Sequence, residues 1–138
     1  DNCLERKDGM RDNKKAMKRL PDAEFAVMKV VWACEPPITA SMIMEQLGEK
    51  KNWKMQTIVS LLLRLVERGF LCTEKNGRER TYFPLIPKED YLKFETGNFI
   101  RQYYDNSFFS LVNTLYDDKN LTEKDIDELI RWAKERRG

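Results

Sequence analysis

Apolar residues at helical spacing predict a first helix over residues 22–34. Phe25, Met28 and Trp32 recur there at i, i+3 and i+7, and acidic residues occupy the first turn, where they suit the positive end of the helix dipole. The Glu-Pro-Pro run at 35–37 ends this helix, because proline lacks an amide hydrogen and moves the residue before it out of the helical region.

Two further helices are predicted in the first half of the chain. Thr39 can cap the second helix, which weakens at Gly48 and ends in a polar turn over 48–52. The third helix spans 54–68 and carries the strongest helical pattern, with Gly69 placed to end it in the left-handed conformation. Its apolar stripe consists of Ile58, Leu61, Leu62 and Leu65.

Residues 70–85 change to an alternation of period two, which predicts a β-hairpin. Asn76-Gly77 is a strong signal for a type I′ turn, because that turn needs a positive φ at both central residues. Three short helices followed by a hairpin are the element order of a winged helix-turn-helix domain. In such a domain the third helix enters the major groove of DNA and the hairpin, or wing, reaches the neighbouring backbone.

Beyond Pro87 the pattern changes to amphipathic helices, predicted over 88–104, 107–116 and 123–136. Thr122 with Asp125 resembles a capping box at the start of the last helix. About fifty residues of helix with this much apolar surface make a poor core alone, which predicts a partner chain; packing onto the same chain's winged domain is the alternative. The residues predicted to dimerise are Phe99, Tyr103, Phe108, Leu111, Val112, Leu115, Ile126, Leu129 and Ile130.

These patterns together predict three parts. A disordered lead-in covers 1–19, a winged-helix domain covers 20–86, and a helical dimerisation domain covers 87–138. The predicted fold class is therefore mainly α with a small β-hairpin wing: a winged helix-turn-helix DNA-binding domain followed by a C-terminal three-helix dimerisation arm.

Polar and basic residues on the third helix and beside the hairpin turn are the candidate DNA contacts. Glutamine can pair with an adenine edge, an apolar side chain can contact the thymine methyl, and arginine and lysine neutralise phosphates. Residues 49–80 carry eight Lys or Arg against four Glu, which suits a polyanion-binding surface, although a solvated face would carry the same residue types. The candidates are Thr39, Lys54, Met55, Gln56, Thr57, Ser60, Arg64, Arg78 and Arg80.

The composition disfavours an enzyme. The chain has no histidine, which removes the commonest general base and metal ligand, and its three cysteines show no C-x-x-C spacing. We therefore predict no catalytic residue, no metal and no cofactor. No stretch approaches the roughly 18 to 20 apolar residues of a membrane span, so a cytoplasmic protein without membrane insertion is expected. The modest net charge of +2 leaves a protein-interaction module without specific DNA binding as the alternative function.

The chain resembles the penicillinase and methicillin-resistance repressor family over about residues 20–130. The resemblance is carried by DAEFAVMKVVW (22–32), WKMQTIVSLLLRL (53–65) with VERGFL after it, GRERTYFP (77–84) and SLVNTLYDDKNLTEKDIDELI (110–130). It implies a homodimer that binds double-stranded, palindromic operator DNA and represses a β-lactamase or related antibiotic-resistance operon. It also implies dimerisation through three intertwined C-terminal helices.

The resemblance further implies that cleavage in the C-terminal arm, triggered through a membrane-bound sensor protease, releases repression. The family's cleaved Asn-Phe bond lies in the middle C-terminal helix, where this chain has Thr114-Leu115, with Asn113 one residue earlier. Two other positions depart from the family pattern and bear on the preferred operator sequence. Gln56 stands where Lys is common, and Val59 stands where Arg or Gln is common.

Overall fold

The structure, a computed structural model, describes residues 17–138, so the predicted lead-in over 1–19 lies outside the described residues except for its last three. The described chain has six helices and one two-stranded antiparallel hairpin, which confirms the predicted fold class. In chain order the elements are α1 (Asp22–Ala33), α2 (Ala40–Lys51), α3 (Met55–Glu67), β1 (Leu71–Asn76), β2 (Glu79–Pro84), α4 (Lys88–Tyr104), α5 (Phe108–Asp117) and α6 (Glu123–Arg137).

The second helix is longer than predicted. α2 continues through Gly48 to Lys51, so the predicted polar turn over 48–52 is wrong. A glycine inside a helix costs only about 1 kcal/mol, and the two lysines of the last turn suit the negative end of the helix dipole. The helix ends instead at Asn52, whose φ of 56° is left-handed. The backbone N–H groups of Asn52 and Trp53 then close a Schellman motif over the last turn.

Two features fix the C-terminal end of α3. Gly69 has a φ of 83°, as predicted for a left-handed helix end, and the Phe70 N–H donates to the Leu65 carbonyl at 2.9 Å. Beside this turn, Arg68 Nε donates to a carboxylate oxygen of Glu24 on α1 at 2.5 Å. Glu24 is buried, so this ion pair joins α1 firmly to the end of α3.

The hairpin turn lies one residue later than predicted. Asn76 pairs with Glu79, and the two loop residues are therefore Gly77 and Arg78. Only Gly77 has a positive φ, of 70°, which is the type II′ pattern, so the predicted type I′ turn is wrong. The observed register places Tyr82 in the core, and a shift by one residue would turn that side chain to the other face of the hairpin.

A hydrophobic core joins α1, α2, α3, the hairpin and the start of α4. The buried member from α4 is Tyr91, whose ring centroid lies 5.8 Å from that of Phe25 and 5.4 Å from that of Phe70. Its hydroxyl oxygen accepts the Leu20 N–H at 2.7 Å. The chain accordingly divides into two compact units after Phe94, whereas the sequence placed the domain boundary between 86 and 87.

The second unit, Glu95–Gly138, contains the end of α4 together with α5 and α6. Ser107 caps α5 by accepting the Ser110 N–H at 3.1 Å. The capping box of Thr122 and Asp125 begins α6, as predicted, with hydrogen bonds of 3.1 and 2.9 Å. The structure describes every residue of this unit, and none of them is buried. The unit therefore has no core of its own within one chain.

Candidate nucleic-acid interface

The outer side of α3 presents most of the predicted DNA contacts to solvent. The four apolar residues of its stripe are buried, which leaves the opposite side free. Thr57, Ser60 and Arg64 project there at three- and four-residue spacings and form one polar edge. The predicted contacts of this segment, all exposed, are Lys54, Met55, Gln56, Thr57, Ser60 and Arg64.

The first turn of α3 is open to an anion. Lys54 occupies the N-cap position in an extended conformation and makes no side-chain cap hydrogen bond. The Thr57 N–H donates to the Lys54 carbonyl at 3.0 Å, so the Met55 and Gln56 amides, at the positive end of the helix dipole, are the ones placed to bind a phosphate oxygen. Gln56, in the same turn, is exposed and free to extend beyond the backbone. This end of α3 combines an anion-binding backbone with a side chain that can read a base edge.

The wing carries a cluster of cations at its tip. Arg78 lies in the turn and Arg80 on β2, and both are exposed. The pairing register sets Lys75 of β1 directly opposite Arg80, a like-charge pair that is unfavourable in the free hairpin. Lys75 was not among the predicted contacts, because its position beside Arg80 depends on the strand register. A phosphate backbone beside these three side chains would relieve their repulsion.

Tyr82 anchors the wing beneath these cations. Its backbone exchanges two hydrogen bonds, of 3.0 and 2.8 Å, with Ile38 in the linker before α2. Burial raises the pKa of the Tyr82 hydroxyl above its ordinary value of 10.0, and the positive charge of Arg80 opposes that rise. The hydroxyl therefore stays neutral at physiological pH, and Tyr82 adds no negative charge to the wing.

Thr39 lies at the N-terminus of α2 rather than on α3 or the wing. Its hydroxyl oxygen accepts the Met42 N–H at 3.3 Å, which confirms the predicted cap. The side chain is half-buried, and its hydroxyl hydrogen is left to donate elsewhere. The cap role thus fixes the side chain, and its contact with DNA stays a prediction.

The predicted dimerisation residues lie on the last helices with much of their surface exposed. Phe108 is 61% exposed, Tyr103 65% and Ile130 49%. Leu129 and Phe99 are also exposed. The half-buried members of the set are Leu111, Val112, Leu115 and Ile126. The same helices also expose apolar side chains outside the predicted set, among them Phe109, Tyr116 and Trp132.

Two kinds of feature are absent from the part of the chain that the structure describes. Among residues 17–138 no group of three or more His, Cys, Asp or Glu side chains could hold a metal ion. Within the same range, none of the helices has the length and apolar character needed to cross a bilayer.

Comparison with known proteins decides the family. A family model described as penicillinase repressor matches residues 20–135, which is most of the chain. The chain belongs to the penicillinase repressor family. This confirms the resemblance drawn from the sequence segments and agrees with the element order of α1 to β2.

Two relatives of this penicillinase repressor family member align with it over most of their own length. The chain is 32% identical to the penicillinase repressor of Bacillus licheniformis over 125 residues, which cover 88% of this chain and 97% of that protein. It is 32% identical to the methicillin resistance regulatory protein MecI of Staphylococcus aureus (strain N315), with coverage of 80% and 89%. A solved structure of monomeric Bacillus licheniformis BlaI with the blaP half-operator is 36% identical, covering 54% of this chain and 89% of that chain, with a TM-score of 0.46.

The residues predicted as a possible proteolytic switch lie in the middle of α5. Asn113 and Thr114 are exposed, and Leu115 is half-buried. The segment belongs to one α-helix, Phe108–Asp117, and Thr114 Oγ1 also donates to the Ser110 carbonyl oxygen at 3.1 Å. A protease would have to unwind this turn of α5 before cutting it.

Proposed function

We propose that this chain is a dimeric, sequence-specific transcriptional repressor of a β-lactamase or another antibiotic-resistance operon. The proposal rests on one observation: α3 has a solvent-facing polar edge and the hairpin wing is cationic, in a member of the penicillinase repressor family. The names of the relatives, penicillinase repressor and methicillin resistance regulatory protein, support the class of regulated gene. The chain acts by binding, and we assign it no catalytic residue and no cofactor.

In this proposal α3 lies in the major groove and the wing follows the adjacent phosphates. Gln56 pairs with an adenine edge, and Ser60 donates to a base or a phosphate. Arg64, Arg78 and Lys54 contact phosphates, which fix the register of the protein on the duplex without reading sequence. The same division predicts which variants lose affinity uniformly and which lose sequence preference.

The proposed homodimer forms through the unit Glu95–Gly138. This unit has no buried residue, yet its helices carry large exposed apolar side chains, and exposed apolar surface of this kind marks a protein interface. A two-fold dimer presents two copies of α3 to one face of the duplex. Their half-sites would then be arranged as a palindrome, separated by whole helical turns of roughly 10 bp.

Release of repression is proposed to follow from proteolysis at residues 113–115. A cut there separates α6 from the rest of the arm, and the dimer interface would lose its last helix. Loss of the dimer removes the second α3 from the operator, so affinity falls without any change in the winged domain. A membrane-bound sensor protease is the proposed partner for this step.

Replacing Arg78 by alanine tests the proposed phosphate contact of the wing. We expect the affinity for double-stranded DNA to fall by a similar factor on every sequence. The negative slope of log binding constant against log salt concentration should become shallower by about one unit. Fluorescence anisotropy with labelled duplexes at several salt concentrations measures both quantities. Arg137→Ala, which removes the same charge from the end of α6, is the matched control and should leave the slope unchanged.

Two outcomes would overturn the assignment. If Arg78→Ala kept the full salt slope, Arg78 would not contact the phosphate backbone. If the unaltered chain bound no duplex DNA even at low salt, the protein-interaction alternative would replace the repressor.

A further inference from the structure

The exposed side of α3 carries an apolar stripe as well as a polar edge. Met55, Val59 and Leu63 are 39%, 45% and 57% exposed, although they belong to a helix whose other side supplies four buried residues to the core. They recur every four residues, so they form one continuous ridge along the helix. Their exposure is not explained by the fold, because the core is filled from the opposite side.

Polar and charged side chains border this ridge closely. Gln56 and Ser60 lie beside it on the same exposed side, Arg64 follows Ser60 along that edge, and the exposed Glu67 lies one turn beyond Leu63. The ridge therefore borders, along one side, the hydrogen-bonding and cationic side chains of the proposed DNA contacts. This continuity suits a polyanion that displays apolar groups between its charged edges.

Double-stranded DNA meets this description, because the thymine C5-methyl is the apolar group exposed in the major groove. We propose that Met55, Val59 and Leu63 read thymine methyl groups, so that α3 identifies its half-site by methyl contact together with the hydrogen bonds of Gln56. This inference rests on the proposed function, since it requires α3 to lie in the major groove.

The spacing of the ridge specifies a pattern of bases. Side chains four residues apart are separated by about 6 Å along a helix, which corresponds to roughly two base-pair steps of B-DNA. Met55 and Val59 occupy the N-terminal half of α3, the part of a recognition helix that contacts base edges. The half-site is therefore expected to place thymines about two base pairs apart in the groove that receives these two side chains.

Substitution of deoxyuridine for thymidine tests the inference directly. The exchange removes only the methyl group and leaves the base pairing and the phosphate charge unchanged. The probe is a duplex that the chain of residues 1–138 recovers from random-sequence DNA. It is then resynthesised with deoxyuridine at single thymidine positions of each half-site. Each contacted methyl is expected to contribute about fourfold in affinity, the value for burying one methyl-sized group.

Protein variants assign the effect to the ridge. With Val59→Ala, the ratio of affinities for the thymidine and deoxyuridine duplexes should approach one at the position that Val59 contacts. Leu92→Ala, which shortens an exposed apolar side chain of α4 outside the proposed DNA contacts, is the matched control and should keep the full ratio. Equal changes in both variants would contradict the assignment.

The outcomes separate this inference from the proposed function. Tight, salt-dependent binding that is indifferent to deoxyuridine at every position would overturn methyl reading, leave the repressor intact and make the ridge a candidate surface for another protein. Failure to recover any duplex at low salt would instead overturn the proposed function itself.

Discussion

Replacing Tyr91 by alanine is expected to lower the free energy of unfolding by about 3–5 kcal/mol, the cost of removing a buried aromatic side chain. Tyr91 is fully buried, and four aromatic rings lie around it: those of Phe25 and Trp32 on α1, Phe70 before β1 and Phe94 on α4 itself. The substitution also removes the hydroxyl that accepts the buried Leu20 N–H at 2.7 Å. Denaturant unfolding at one fixed chain concentration measures the effect, because the stability of a dimer depends on concentration.

Tyr91→Phe is the matched control. It keeps the ring contacts and removes only the hydrogen-bond acceptor, so the expected loss is about 1–3 kcal/mol, the cost of an unpaired buried amide. An alanine variant within about 1 kcal/mol of the unaltered chain would show that the start of α4 does not belong to the core of the winged unit.

Replacing Phe108 by glutamate is expected to weaken the proposed dimer by about 2–4 kcal/mol, or about 30- to 1,000-fold in dissociation constant. Phe108 is 61% exposed in the single chain and lies on the same face of α5 as Val112 and Leu115. In the dimer this face would be buried, and an unpaired carboxylate there would be poorly solvated. Phe108 is the first residue of α5, where a negative charge suits the helix dipole, so the helix itself should persist.

Sedimentation equilibrium measures the dissociation constant of each variant. Asn113→Glu adds the same charge to an exposed position on the polar side of α5 and should leave the dimer intact. If Phe108→Glu sediments as the unaltered chain does, the exposed apolar face of α5 is not the interface. Circular dichroism confirms that both variants keep their helices.

The sequence was sufficient for elements whose apolar periodicity is strong and local. The stripe of α3 and the left-handed end at Gly69 were both predicted correctly, because each depends on neighbouring residues only. The end of α2 was not. Gly48 is a weak helix former, and the helix nevertheless continues over it to the better left-handed residue, Asn52.

Features that depend on strand register or on distant contacts were harder to predict from the sequence. The turn was predicted around Asn76-Gly77, but the burial of Tyr82 fixes a register in which Gly77 and Arg78 form the loop. The same register brings Lys75 opposite Arg80, and no local pattern could indicate that pair.

The first turns of α4 were assigned from the sequence to the C-terminal arm. The apolar spacing of Tyr91 and Phe94 fits a helix that packs against either unit. Only the contacts of the Tyr91 ring and hydroxyl show that this part of α4 completes the winged unit. The sequence of an amphipathic helix shows which side chains form its apolar face. It does not show which element packs against that face.

Selection from a random-sequence pool of double-stranded DNA tests the central claim most directly. The chain of residues 1–138 is used to recover bound duplexes over several rounds at moderate salt, and the recovered pool is sequenced. A dimer that reads DNA with two copies of α3 should enrich an inverted repeat whose half-site centres lie whole helical turns, roughly 10 bp each, apart. A bound pool that stays random in sequence, or that contains single half-sites without an inverted partner, would contradict the account.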